Sequence, residues 1–149
     1  MEDSQIYQKE TYIITNEMWQ KIKEYIGKPY KFNCFDETGF DCYTLIYFLY
    51  KLIDIDLPKE NIALYNLRVH QKLIDTHRML FKEVKYIERQ PFDILLFANS
   101  DKIAAHLGMV LTRDKFIHAN EDHSVRIEYF LGNIESINIR KVYRWNSLK

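Results

Sequence analysis

Apolar positions in the first half of the chain recur every three to four residues, and in the second half they alternate. Met18, Ile22, Tyr25 and Ile26 share one side of a predicted helix. Thr15 or Asn16 can cap it, Glu17 sits beside the positive end of its dipole, and Gly27 stops it. Residues 1–14 carry no helical period, and Tyr12-Ile13-Ile14 reads as a short strand or a docked arm. From Lys28 to Asp41 a Lys-Pro-Tyr step and an Asp-Glu-Thr-Gly turn predict loop. A second helix is expected from about Cys42 to Ile53, on a stripe of Leu45, Phe48, Leu49 and Leu52. Leu57-Pro58-Lys59 closes that connection. A third, longer helical pattern then runs from about Glu60 to Phe81 through Ile62, Tyr65, Val69, Leu73 and Leu80.

Beyond Lys82 the period falls to two. Strands are expected over Phe92–Phe97, Ala105–Thr112, Lys115–Ala119, Val125–Tyr129 and Ile139–Trp145. Asn99-Ser100-Asp101-Lys102 and Arg113-Asp114 supply turns between them. Helices followed by a meander of strands predict an α+β fold, with the helices packed on one face of a five- to six-stranded antiparallel sheet. No repeat or linker interrupts the 149 residues, which suits one domain.

Charge removes several function classes. Twenty-one basic side chains balance twenty-one acidic ones, so no net field draws the chain to phosphate backbones or anionic lipid. No apolar run approaches the roughly 18 residues a membrane span needs. Neither nucleic acid nor membrane insertion is expected. The opening Met1-Glu2-Asp3-Ser4-Gln5 carries no basic region followed by an apolar one, which predicts synthesis in the cytoplasm without a Sec-type signal. Two cysteines, Cys34 and Cys42, make no disulfide framework, and the reduced state is expected for both.

The chemistry centres on Cys42, where a loop passes into a helix. Unpaired first-turn N–H groups and the helix dipole favour a thiolate there, and the same N–H groups can receive an oxyanion. The sheet offers a base. His106 lies on the second strand and His118 on the third, across the two-residue turn, so the hairpin brings the imidazoles near each other if the register allows. A thiol, an imidazole and a polar group orienting that ring form the general nucleophile–base–orienter arrangement.

At these positions the chain resembles the NlpC/P60 cysteine peptidases. The family's nucleophile motif, Gly-Phe-Asp-Cys-Ser-Gly-Leu-Val, is similar to Gly39-Phe40-Asp41-Cys42-Tyr43-Thr44-Leu45-Ile46. Its Gly-x-Pro-Tyr element is matched by Gly27-Lys28-Pro29-Tyr30, and its Ile-x-Leu-Pro segment by Ile55-Asp56-Leu57-Pro58. Its strands are similar to Phe92-Asp93-Ile94-Leu95-Leu96-Phe97, His106-Leu107-Gly108-Met109 and Phe116-Ile117-His118-Ala119. The resemblance implies a papain-like core spanning about residues 16–145. It also implies hydrolysis of peptidoglycan stem peptides, at the γ-D-glutamyl to diaminopimelate (or lysine) bond, without metal or organic cofactor. Carried over, Cys42 is the nucleophile, His106 the base and then acid, His118 the orienting third member, and Tyr30 the tyrosine near the oxyanion site. Asp41 and Tyr43 flank the nucleophile and are expected to help position substrate. The implied partner is a stem peptide or muropeptide. Three routes to it stay open: a phage-tail or lysis apparatus, delivery to the periplasm or wall by a secretion-system partner, or recycling of wall fragments inside the cell.

Three departures bear on specificity more than on chemistry. Tyr43-Thr44 replaces Ser-Gly, so Tyr43 is expected to reshape the cleft floor. Phe92 replaces a glycine, and the glycine-rich loop before the nucleophile is reduced to Gly39. Two other readings stay open on the same residues: a thiol acyltransferase or deamidase-like enzyme, and a catalytically silent binding module. A zinc site from Cys42, His106, His118 and His123 has the right ligand types but no closely spaced pair. Cys34 reads as a loop bystander, and His70 and His77, seven apart, as one stripe of a helix.

Overall fold

The computed structural model describes residues 12–57, 59, 81–98, 105–131 and 138–146. The third predicted helix (residues 60–80, with His70 and His77) and the 99–102 turn lie outside them. Phe81 does not end a helix. It opens β1 (Phe81–Val84), paired with Trp145 across the sheet at a ring distance of 5.1 Å.

Helix α1 (Asn16–Tyr25) starts as the pattern predicts, with the Thr15 hydroxyl accepting the Met18 N–H at 3.2 Å. Gly27 takes a φ of +86°, which an L side chain rarely adopts, and its N–H donates to Val125 O at 2.9 Å. That turn ties the end of α1 to the sheet.

Helix α2 (Cys42–Lys51) is shorter than predicted. Asp54, with a φ of 61°, closes a turn over Leu52–Asp54 instead of continuing it. Its burial is not confined to a stripe: eight of its ten residues are buried, as suits a helix enclosed by protein on most sides.

Six strands form one sheet: β1, β2 (Ile94–Ala98), β3 (Ala105–Thr112), β4 (Lys115–Asn120), β5 (Ser124–Tyr129) and β6 (Ile139–Trp145). Their order is β1-β6-β2-β3-β4-β5, with every pair antiparallel. This is the predicted α+β architecture. One face, with Ile94, Leu96, Leu107, Met109 and Ile117, joins the side chains of α1 and α2 in the main core. The other face carries a smaller cluster of Leu95, Phe97, Val110, Phe116, Phe130 and Val142.

The predicted strand start at Phe92 needs correction, because Phe92 and Asp93 precede β2 in a turn. Phe92 has a φ of 74°, the left-handed region where the resembled motif carries glycine. A bulky residue there stores backbone strain of about 1–3 kcal/mol. Burial offsets it: the ring meets Tyr12 and Tyr50 edge-on, and the Phe92 carbonyl accepts the Tyr50 hydroxyl at 2.6 Å. Asp93 accepts both Nε and Nη2 of Arg144, each at 2.9 Å, fastening β2 to β6. Burial raises the Asp93 pKa even so, with the guanidinium opposing it.

Candidate active site

Cys42 is the first residue of α2, and its surroundings are set by the loop before it. The backbone of Tyr30 bridges to Phe40, with Lys31 N–H donating to Phe40 O at 3.2 Å and Phe40 N–H to Pro29 O at 3.0 Å. Tyr30 is thereby anchored beside the segment that enters the helix.

Asp41 is fully buried and caps α2. Its Oδ1 accepts the N–H groups of Tyr43 (2.9 Å) and Thr44 (2.8 Å), while Oδ2 accepts Asn33 N–H at 2.6 Å. The Thr44 hydroxyl returns the favour by accepting Asp41 N–H at 2.9 Å, completing a capping box. Two of the first-turn N–H groups expected to receive an oxyanion are therefore spent on the cap, and Cys42 N–H is the donor outside it. The Tyr43 side chain is buried, 1% exposed, and packs within the main core.

The thiol is not poised as the helix position alone suggests. Burial, then the charge of Asp41, push the Cys42 pKa up to about 12. The backbone N–H groups of Leu107, Cys42 and Tyr43 pull the other way and are outweighed. A neutral thiol rests there, against the backbone of the residue that follows His106 on β3.

His106 and His118 come together because β3 is bulged. Across the Arg113-Asp114 turn Thr112 pairs with Lys115, but the register then shifts so that Val110 pairs with Phe116 and Gly108 with His118. An unbroken register would place His118 opposite Met109, on the face away from His106. With the shift, His106 Nε2 lies 2.7 Å from His118 Nδ1. Phe97 packs against both rings, and Phe116 against His118.

Gly108 makes the approach feasible. A Cβ there would meet the Phe97 ring at 3.1 Å and Ile117 O at 3.2 Å, with His118 Cβ at 3.5 Å. Gly108→Ala is expected to lower stability by about 1–2 kcal/mol through this crowding. Denaturant unfolding will measure it, and an unchanged midpoint would show that the strands yield freely.

Behind His118 stands Glu128, which the sequence reading did not single out. His118 Nε2 is 3.3 Å from Glu128 Oε2, and Arg126 Nε donates to the same oxygen at 2.8 Å. The signal was available: His118 pairs with Arg126, so the alternation of β5 puts Glu128 on the same face. The carboxylate fixes a chain of tautomers. A proton on His118 Nε2 leaves Nδ1 to accept from His106 Nε2–H, and His106 Nδ1 then carries the basic lone pair. Burial, then the charges of His123 and Arg126, lower the His118 pKa to about 3, so this ring orients without titrating near neutrality.

Cys34 and Cys42 are both free thiols. Cys34 donates to Asp36 Oδ1 at 3.0 Å in the preceding loop, consistent with a local structural role. Among the described residues, Cys42, His106, His118 and His123 do not form one metal-type cluster. His118 and His123 instead come together with Glu128, among the described residues.

Fold and candidate site together place a cysteine at a helix start against an antiparallel sheet that carries two histidines in contact. The sequence model of the NlpC/P60 family matches residues 27–144, and the chain belongs to that family. It is 30% identical over 118 residues to the murein DD-endopeptidase MepH of Escherichia coli, across 75% of this chain but only 37% of that protein. Two solved structures share the fold. NlpC2 from Trichomonas vaginalis superposes with a TM-score of 0.65 at 21% identity, over 93% of this chain and 49% of the other. The NlpC/p60 domain of the peptidoglycan hydrolase SagA gives 0.55 at 17% identity, over 85% and 95%.

Proposed function

We propose that this protein is a cysteine hydrolase of peptidoglycan peptides, with Cys42 as nucleophile, His106 as base and acid, and His118 as the ring that orients His106. The observation that carries the reading is the 2.7 Å contact between His106 and His118, on a strand whose next residue offers its N–H to the Cys42 thiol. His106 takes the thiol proton as sulfur attacks the amide carbon, and the oxyanion is received by Cys42 N–H with Tyr30 beside it. Collapse breaks the C–N bond, and His106 returns the proton to the leaving amine. Water, deprotonated by His106, then attacks the thioester and releases a carboxylate and the free thiol.

The family resemblance favours the γ-D-glutamyl to diaminopimelate (or lysine) bond. A second reading, a cross-link between two D-configured centres, is favoured by the name of the Escherichia coli relative. Digestion of purified muropeptides, with products weighed by mass spectrometry, separates them. Stem cleavage after D-glutamate supports the first, cross-link opening the second, and both activities should vanish in Cys42→Ala. Products that persist in Cys42→Ala would overturn the thiol mechanism.

A further inference from the structure

His123 presents an unusual buried lone pair. Its Nδ1 lies 3.2 Å from Ser124 O, which only an Nδ1–H can satisfy, so in the neutral ring the lone pair sits on Nε2. That Nε2 is buried without a hydrogen-bond partner, and it faces Glu128 Oε2 at 3.9 Å. A lone pair opposite a carboxylate, too distant for a shared proton, is a place for a cation. An imidazole whose other nitrogen donates to a backbone carbonyl is also the usual setting of a metal-ligating histidine.

The remaining geometry fits. Ligand atoms, one each from His118, His123 and Glu128, lie within 4.8 Å of one another, and Glu128 Oε2 is 3.3 Å from His118 Nε2 and 3.9 Å from His123 Nε2. Tetrahedral zinc, with bonds of ~2.0 Å, holds its ligand atoms about 3.3 Å apart, and His118 Nε2 and Glu128 Oε2 are already 3.3 Å apart. Two histidines, one glutamate and an open fourth position are a known zinc donor set. Arg126 competes as a cation, its Nε on Glu128 Oε2, but Arg126 is 51% exposed and can swing into solvent.

We propose that His118, His123 and Glu128 form a binding site for one divalent transition-metal ion of the zinc class, and that its occupancy withdraws the base from Cys42. Binding stands on the geometry above, while its consequence rests on the peptidase reading. Metal on His118 Nε2 displaces the proton that Glu128 holds there and leaves His118 protonated at Nδ1. His118 then donates to His106 Nε2, and His106 carries its own proton on Nδ1, the nitrogen that should serve the thiol. The proton count on the two rings is unchanged, yet the lone pair of His106 has moved to the wrong side.

Calorimetric titration of zinc into Cys42→Ala protein, which removes the thiolate as a rival ligand, tests the site. One equivalent should bind, and His123→Gln in the same background should weaken it at least tenfold to a hundredfold. Arg126→Ala, at an exposed position, should tighten it several-fold, a check that survives any misfolding of the His123 variant. Binding that ignores either substitution overturns the site. In the otherwise native protein, muropeptide cleavage should fall in proportion to occupancy and return on chelation. Full cleavage at full occupancy overturns the switch. A failed peptidase reading is distinguishable, because cleavage is then absent with or without zinc while binding still depends on His123.

Discussion

Alanine at position 106 is expected to reduce muropeptide cleavage by about ten-thousandfold. The argument begins with the thiol, whose pKa is pushed up to about 12 by burial and by Asp41. At pH 7 a group of that pKa is ionised on the order of one part in 100,000. Catalysis cannot draw on a standing thiolate and must remove the proton as the C–S bond forms. A positioned general base of this kind contributes roughly 100- to 10,000-fold. In the proposed mechanism His106 also protonates the leaving amine, so the upper end applies. The sign of the pH effect distinguishes this from simple damage. Without the base, turnover depends on the small thiolate fraction, which rises with pH because the thiol pKa lies above the working range. The residual rate of His106→Ala should therefore climb about tenfold per pH unit between pH 7 and 9. Initial rates across that interval check it. A residual rate flat with pH, or a loss under tenfold, would mean that another group serves as the base.

The pattern of hydrophobic positions was enough for the architecture, because the period falls from helical to strand-like after Lys82 and the Thr15 cap of the first helix is legible in the sequence. Cys42, His106 and His118 were legible for a different reason: a thiol at a helix start and two histidines on one hairpin are rare enough in combination to suggest chemistry. Their meeting was not. A two-residue turn with unbroken pairing sends His118 to the wrong face, and only the register shift between Val110 and Thr112 restores it. Nothing in the local residue types demands that shift, since it is decided by which side chains the two faces of the sheet can bury. Glu128 escaped notice because a carboxylate in a strand reads as solvent-facing until its neighbour on the next strand is known. Asp41 was assigned to substrate and Thr44 to drift, although Asp-x-x-Thr before an apolar run can equally be a helix cap. Phe92 shows the reverse: the expected glycine marks a left-handed backbone, and the fold keeps that conformation with a residue that dislikes it because the ring fills the core.

Asp41 carries the largest expected effect on stability. Its carboxylate is fully buried and accepts three backbone N–H groups, those of Asn33, Tyr43 and Thr44. Loss of a helix cap alone costs about 1–2 kcal/mol. A hydrogen bond to a charged partner contributes about 1.5–3 kcal/mol, and a buried donor left without an acceptor adds its desolvation. Asp41→Ala strands three such donors at once and should lower unfolding free energy by about 3–5 kcal/mol, a large share of what a domain of this size possesses. Asp41→Asn keeps one oxygen for Tyr43 and Thr44 but turns an NH2 toward Asn33 N–H, so a loss of about 2 kcal/mol is expected. The asparagine variant also reports on Cys42. The Asp41 charge is the second cause holding the Cys42 pKa up, so its removal must move that pKa down. Alkylation of Cys42 in folded Asp41→Asn should therefore begin at lower pH than in the native protein, while denaturant unfolding reads the stability loss. A stable Asp41→Ala, within 1 kcal/mol of native, would mean that the loop finds other acceptors and that the cap does not organise the site. An alkylation profile that stays in place, or moves up, would show that burial alone keeps the thiol neutral. The joint expectation, a weaker helix start with a more acidic thiol, follows because one carboxylate both caps the helix that Cys42 opens and restrains the ionisation of its thiol.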